Sequence, residues 1–194
     1  MSPWLGKTAF LIGVVAMMII RAPHGIRSRK IRVAESRKGR FEVALLALMW
    51  IATLILPLTS IATPLLSFAD YALYPAAFVL GIICLALGLW FFYRSHADLG
   101  VNWSISLELR EDHRLITFGV YRRIRHPMYA AIFLQAIAQA LLLPNWLAGP
   151  AYMFAFSVTF PLRVRSEETM MLKKFGDEYR AYTTRTKRLI PNVW

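Results

Sequence analysis

Long apolar runs alternate with short charged ones along this chain. The first run, about Trp4 to Ile20, carries one charge, Lys7, which can reach the interface along its own stem. Arg21 then opens a basic block and no small-residue cleavage site intervenes, as expected of a retained anchor. A second run spans Phe41 to about Leu58 and a third about Tyr71 to Tyr93. Since about 20 residues span a bilayer core of ~30 Å, the third is long enough and the first two are slightly short. Two shorter runs, about Met128 to Leu143 and Ala148 to Leu162, are joined at Pro144-Asn145-Trp146 and predict a helical hairpin. Beyond Arg163, Leu172, Phe175, Tyr179 and Tyr182 recur at three- and four-residue steps, the period of an amphipathic helix. Its stripe is narrow and Gly176 interrupts it, which favours packing against a neighbouring loop over lying on lipid. The reading is an all-α, polytopic integral membrane protein of about five transmembrane helices, including a C-terminal hairpin. No linker or repeat divides it. Residues 1–194 read as a single domain, with three membrane helices in 1–93 and the polar motifs, hairpin and last helix in 94–194.

Composition agrees: 57% of residues are hydrophobic and the mean hydropathy is +0.46. A net charge of +12 would suit nucleic acid if it were spread over one face, but its distribution says otherwise. All but Lys7 of the 23 Lys and Arg residues fall in three blocks, Arg21 to Arg40, Arg94 to Arg125 and Arg163 to Arg188. The intervening connections, around Pro57 to Asp70 and Pro144 to Gly149, have none. That is the positive-inside pattern. It puts the blocks in the cytoplasm, the basic-free connections and the N-terminus outside, and no nucleic acid among the partners. The one cysteine, Cys84, excludes an intrachain disulfide and a cysteine-held metal. Nothing implies an oligomer.

Candidate chemistry concentrates in GVYRRIRHPMY, Gly119 to Tyr129, and in Arg163 with Glu167-Glu168. Pro127 has a preset φ and no N–H, which suits the first turn of the fourth helix and puts His126 at its start. A helix N-terminus favours an anion. Arg125, His126 and Tyr129 can therefore wall a donor-rich pocket, whereas Arg122 and Arg123 read as interfacial anchors. Arg163 and Glu167 share a helical face if the fifth helix continues past the bilayer. A surface ion pair is one reading of them; a two-sided polar site for a zwitterionic or charged ligand is the other.

The run HRLITFGVYRRIRHPMY (His113 to Tyr129), then RVRSEE (Arg163 to Glu168), then FGDEYRAY (Phe175 to Tyr182), resembles the isoprenylcysteine carboxyl methyltransferase family, over about the last 80 to 90 residues. The chain looks like a short prokaryotic member, of archaeal type. The resemblance implies methyl transfer from S-adenosyl-L-methionine, leaving S-adenosyl-L-homocysteine, to the carboxylate of a prenylated cysteine or similar isoprenoid lipid acid. It implies a cofactor site built from His113, Arg114, Leu115, Ile116, Tyr121, His126, Pro127, Met128, Tyr129 and Glu167, with Ser106 a weaker member, the last helix and cytoplasmic loops closing round it. Glu167 is expected to hold the cofactor's amino group and Arg163 the acceptor carboxylate; Arg163, Tyr129 and Arg125 are the candidate catalytic residues.

The chemistry fits those residue types. A carboxylate acceptor is ionised near neutral pH and needs no general base. A positive donor and a negative acceptor neutralise one another as they react, which a dry pocket favours. The chain lacks a G-x-G-x-x-G, so a Rossmann-type site is excluded. The expected cavity opens to the cytoplasm for the donor and sideways into lipid for the prenyl chain, between the second to fifth helices. Three alternatives are a phospholipid or other lipid amine N-methyltransferase, an NADPH-dependent membrane sterol or isoprenoid reductase, and a basic membrane scaffold.

Overall fold

A computed structural model describes residues 1–28, 33–36, 39–100, 108–110 and 114–190. Three helical stretches have the length and apolar composition to cross a membrane: Pro3–Ile26, Arg40–Ala62 and Pro75–Leu99. The chain is thus a polytopic, helical membrane protein. Trp4, Ile12, Val15 and Ile19 on the first stretch and Val79, Ile83, Leu87 and Trp90 on the third face outward, as side chains surrounded by lipid do.

Helix α1, Pro3–Ser28, runs through Pro23 and past the expected end at Ile20. The second stretch is α2, Arg40–Trp50, a π-helical turn at Ile51–Ile55, and α3, Leu56–Ala62. The widened turn lies just before Pro57, which has no N–H to continue the ladder. In it Leu56 N–H reaches back to the Ile51 carbonyl, and Gln139 Nε2 donates to the Ala52 carbonyl at 2.9 Å. Helix α4, Pro75–Leu99, starts four residues later than expected because Pro75, not Tyr71, takes the first turn. It packs closely along α5, Pro127–Leu142, where Gly88 lies so near Gln135 and the Ala131 carbonyl that a methyl group would not fit.

At one end of the bundle the two basic-free connections clasp each other. Asn145, almost fully buried, donates through Nδ2 to the Leu66 carbonyl and to Asp70 Oδ1, both at 2.7 Å. Its Oδ1 accepts from the backbone N–H groups of Leu147 and Ala148. At the other end, the first two basic blocks meet in an antiparallel ribbon, β1 (Val33–Ser36) with β2 (Glu108–Arg110). The all-α expectation omitted this ribbon because its strands are too short to show an alternating pattern.

Helix α6, Ala151–Arg185, joins the fifth apolar run to the amphipathic segment without a break at Pro161. Only Gly176 leaves helical geometry, at φ 51° and ψ −122°, a conformation open to glycine. Tyr129 meets Phe160 edge-on at 5.2 Å and Phe133 lies 5.8 Å from Phe156, so α5 and α6 run past each other in opposite directions. α5 has 16 residues, below the length at which a helix crosses a bilayer unaided.

Candidate active site

Pro127 opens α5 as expected, and His126 precedes it with its ring between two carboxylates from α6. His126 Nδ1 lies 3.5 Å from Glu167 Oε2 and Nε2 lies 3.3 Å from Glu168 Oε1. Carboxylate oxygens accept and do not donate, so this geometry calls for a proton on each ring nitrogen, an imidazolium. Burial works against the charged ring, yet hydrogen bonds to Glu167 and Glu168 outweigh it and raise its pKa above the ordinary 6.5. The two acids also approach the N-terminus of α5, whose dipole favours them.

Glu168 is a hub of cations. It accepts from Arg125 Nε at 3.0 Å, and from Arg188 Nε at 3.2 Å and Nη2 at 2.8 Å. Burial raises its pKa, but His126, Arg188 and Arg125 together hold it well below the usual carboxylate range. The same partners lace the chain after α6 to the loop before α5: Arg125 N–H donates to the Lys187 carbonyl and His126 N–H to that of Arg188. Arg125 also donates to the Thr183 and Thr186 carbonyls. Tyr182, buried with Tyr179, donates to the Tyr121 carbonyl at 2.7 Å. The tyrosine end of the expected amphipathic stripe therefore packs against the motif loop, whereas Leu172 stays exposed.

Glu167 has a different setting. Its Oε1 accepts from Tyr129 Oη at 2.6 Å, and its side chain keeps 29% of its surface exposed. Burial opposes its charge, but His126, Arg163 and Tyr129 hold its pKa below the ordinary value. Arg163 stands one turn earlier on α6 and forms an ion pair with Glu42 of α2, Nη2 to Oε1 at 3.2 Å.

Of these groups, Arg125, His126, Tyr129, Arg163 and Glu167 line one cavity of about 490 Å³. Its polar end holds Arg21, Arg114, His126, Tyr129, Arg163 and Glu167. From there it continues between apolar walls, including Phe10 and Val14 of α1, Leu46 and Met49 of α2, Leu85 of α4, Ile132 of α5 and Phe156 of α6. The first helix thus joins the four expected to line it.

Of the residues singled out in the sequence, Arg114, Leu115, Ile116, Tyr121, Arg125, His126, Met128, Tyr129, Arg163 and Glu167 all line this cavity. Pro127 is buried behind the wall and shapes the helix start. His113 and Ser106 lie outside the described residues. Sequence reasoning missed Glu42, Arg21 and the hub formed by Glu168 with Arg188. Glu42 did carry a signal, as an acid at the head of an apolar run, where an unpaired charge is costly.

Comparison with known proteins gives consistent relatives. The chain is similar to protein-S-isoprenylcysteine O-methyltransferases of Tribolium castaneum (38% identical over 97 residues, 50% of this chain and 34% of the relative) and Schizosaccharomyces pombe (29% over 114 residues, 59% and 48%). The Homo sapiens protein of that name is 31% identical over 97 residues, again 50% of this chain and 34% of the relative. The chain spans about a third to a half of the length of these curated relatives. Its fold is similar to the solved eukaryotic intramembrane Ras methyltransferase ICMT (isoprenylcysteine carboxyl methyltransferase), with a TM-score of 0.54 and 26% identity, over 82% of this chain and 55% of that one. The fold likeness thus reaches well beyond the C-terminal segment that carries the motifs. These relatives are eukaryotic and lend no support to the prokaryotic, archaeal-type member expected from the sequence. The family profile for isoprenylcysteine carboxyl methyltransferases matches residues 77–173, taking in α4, α5 and both cavity-facing charges of α6, and the chain belongs to that family.

Proposed function

We propose that the protein transfers a methyl group from S-adenosyl-L-methionine to the carboxylate of a prenylated cysteine or similar isoprenoid lipid acid. One observation carries this reading: a single cavity has a carboxylate and a guanidinium, Glu167 and Arg163, at one end and an apolar channel leading away from them. A water-soluble cation and an amphipathic lipid acid are the pair of reactants that such a cavity suits.

The residues present fit the donor. Glu167, anchored by Tyr129 and partly exposed, would hold its ammonium, while Arg114, Leu115, Ile116 and Met128 would line the remainder. The donor brings the methyl group on a sulfonium, and the chain's task is positioning. Arg163 would orient the acceptor carboxylate, the stacked Phe156 and Phe160 with Tyr129 would exclude water, and Arg125 would brace the wall through Glu168. Well-oriented reactants reach effective molarities of about 10⁵ to 10⁸ M, so positioning suffices without a base. An amine acceptor fits less well, because Arg163 would face a cation.

We read the membrane arrangement as five crossings, with α5 and the first half of α6 forming a short hairpin, the N-terminus outside and the polar end of the cavity cytoplasmic. The positive-inside pattern supports it, as do the clasped basic-free connections at one end and the paired basic blocks at the other. Helices from both 1–93 and 94–194 line the cavity, which supports a single catalytic unit.

The test is transfer of labelled methyl groups from S-adenosyl-L-methionine to an N-acetylated prenylcysteine in membranes containing the protein. The reading predicts a product that releases volatile methanol in alkali, as an ester does. A base-stable product would point to N-methylation, and absence of transfer to both prenylcysteine and lipid amines would contradict the reading.

A further inference from the structure

We propose that Glu42 is a positioning residue that keeps the Arg163 guanidinium from closing onto Glu167, so that each charge stays open to its own ligand at the acceptor and donor ends of the cavity. The inference rests on the methyl-transfer reading above and deepens it.

Arg163 and Glu167 are one turn apart on the same face of α6, a spacing at which arginine and glutamate attract. With the Arg163 side chain 12% exposed, that attraction is screened less than in water. A guanidinium closed onto Glu167 would neutralise the charge meant for a ligand ammonium and turn away from an acceptor carboxylate. The structure shows the opposite arrangement. Glu167 is turned to Tyr129 and His126, at 2.6 and 3.5 Å, while Arg163 Nη2 lies 3.2 Å from Glu42 Oε1. Glu42 comes from α2, a separate helix, and is only 5% exposed in the run Phe41 to Trp50, which is otherwise apolar. A carboxylate buried there is costly unless paired, and its pairing is with Arg163.

The contact is an ion pair and not an aligned hydrogen bond, since Glu42 Oε1 has no partner of hydrogen-bonding geometry. Charge therefore holds the guanidinium in place while leaving it able to tilt toward an incoming carboxylate. Glu42 also precedes the residues 77–173 matched to the family, so the role belongs to the N-terminal half of this chain.

The experiment is calorimetric titration of the detergent-purified full chain with S-adenosyl-L-homocysteine. Glu42→Gln, which keeps the shape and removes the charge, is expected to weaken binding about tenfold. Adding Arg163→Gln is expected to restore affinity to within about twofold of Arg163→Gln alone, because the competing guanidinium is then gone. An uncompensated buried Arg163 would also loosen the fold and be relieved by the second substitution, so thermal midpoints are measured on the same samples, and Glu42→Gln is expected to lose affinity at temperatures where it is fully folded. Unchanged affinity in Glu42→Gln, or a loss that persists in the double variant, overturns the inference while the methyl-transfer reading survives. Failure of the wild type to bind S-adenosyl-L-homocysteine overturns both.

Discussion

His126 concentrates the electrostatics of the site in one ring. Its folded-state pKa is raised above 6.5, so its contribution to stability is complete below that value and is lost as pH climbs through the raised one. Glu168 has the opposite sign: its contribution is present above the ordinary 4.5 and is lost as pH falls toward its depressed value. The thermal midpoint of the purified protein should therefore decline from neutral into alkaline pH, and His126→Gln should remove that component of the slope. An unchanged slope in the variant would place the titration elsewhere. Gly119 makes a second residue-level prediction. Its φ of 59° strains any side chain, and a Cβ would fall on the Asp98 carboxylate that accepts the Val120 N–H at 2.9 Å. Gly119→Ala should lower the thermal midpoint and donor affinity together by displacing Tyr121, whereas Gly39→Ala, in open surroundings, should change neither. At this scale the sequence was informative wherever the partners sit within one motif or on one helical face, as with Pro127 and His126. The Arg163 to Glu42 pair was hidden because α2 and α6 are far apart in the chain, and spacing rules reach only a few residues.

The apolar runs located every main helix and its start to within about a turn, but α1 and α4 run on past their expected ends at Ile20 and Tyr93, to Ser28 and Leu99. What escaped were features set by contacts between helices. The π turn before Pro57 is one, since its Ala52 carbonyl is satisfied by Gln139 of α5. The continuity of α6 through Pro161 is another; packing of Phe156 and Phe160 against α5 carries the helix past a residue that weakens it locally. The connection expected as a tight turn at Pro144-Asn145-Trp146 runs from Leu143 to Pro150, and the clasp that fixes it to Asp70 was not foreseen. Asn145→Ala would leave the Asp70 carboxylate and two backbone N–H groups short of partners, at a cost of about 2–3 kcal/mol. A thermal midpoint within error of wild type would show that the clasp is not structural.

At the scale of the whole molecule, α1 and α2 close a cavity whose recognised motifs all lie in α5, α6 and the loop before them. The five-crossing arrangement predicts that a cysteine at Ser67, in a Cys84→Ala background, reacts with a membrane-impermeant maleimide from outside the cell, and that one at Lys187 reacts only after permeabilisation. The reverse pattern would invert the topology and move the polar end of the cavity outside. The central claim is narrower: Glu167 binds a methyl donor and Arg163 serves the acceptor. Calorimetric titration with S-adenosyl-L-homocysteine, with NADPH as control, tests it most directly on wild type, Glu167→Ala and Arg163→Ala. The account predicts saturable binding to wild type and to Arg163→Ala, none to Glu167→Ala, and none of NADPH to any of them; equal affinity in wild type and Glu167→Ala, or binding of NADPH alone, would contradict it.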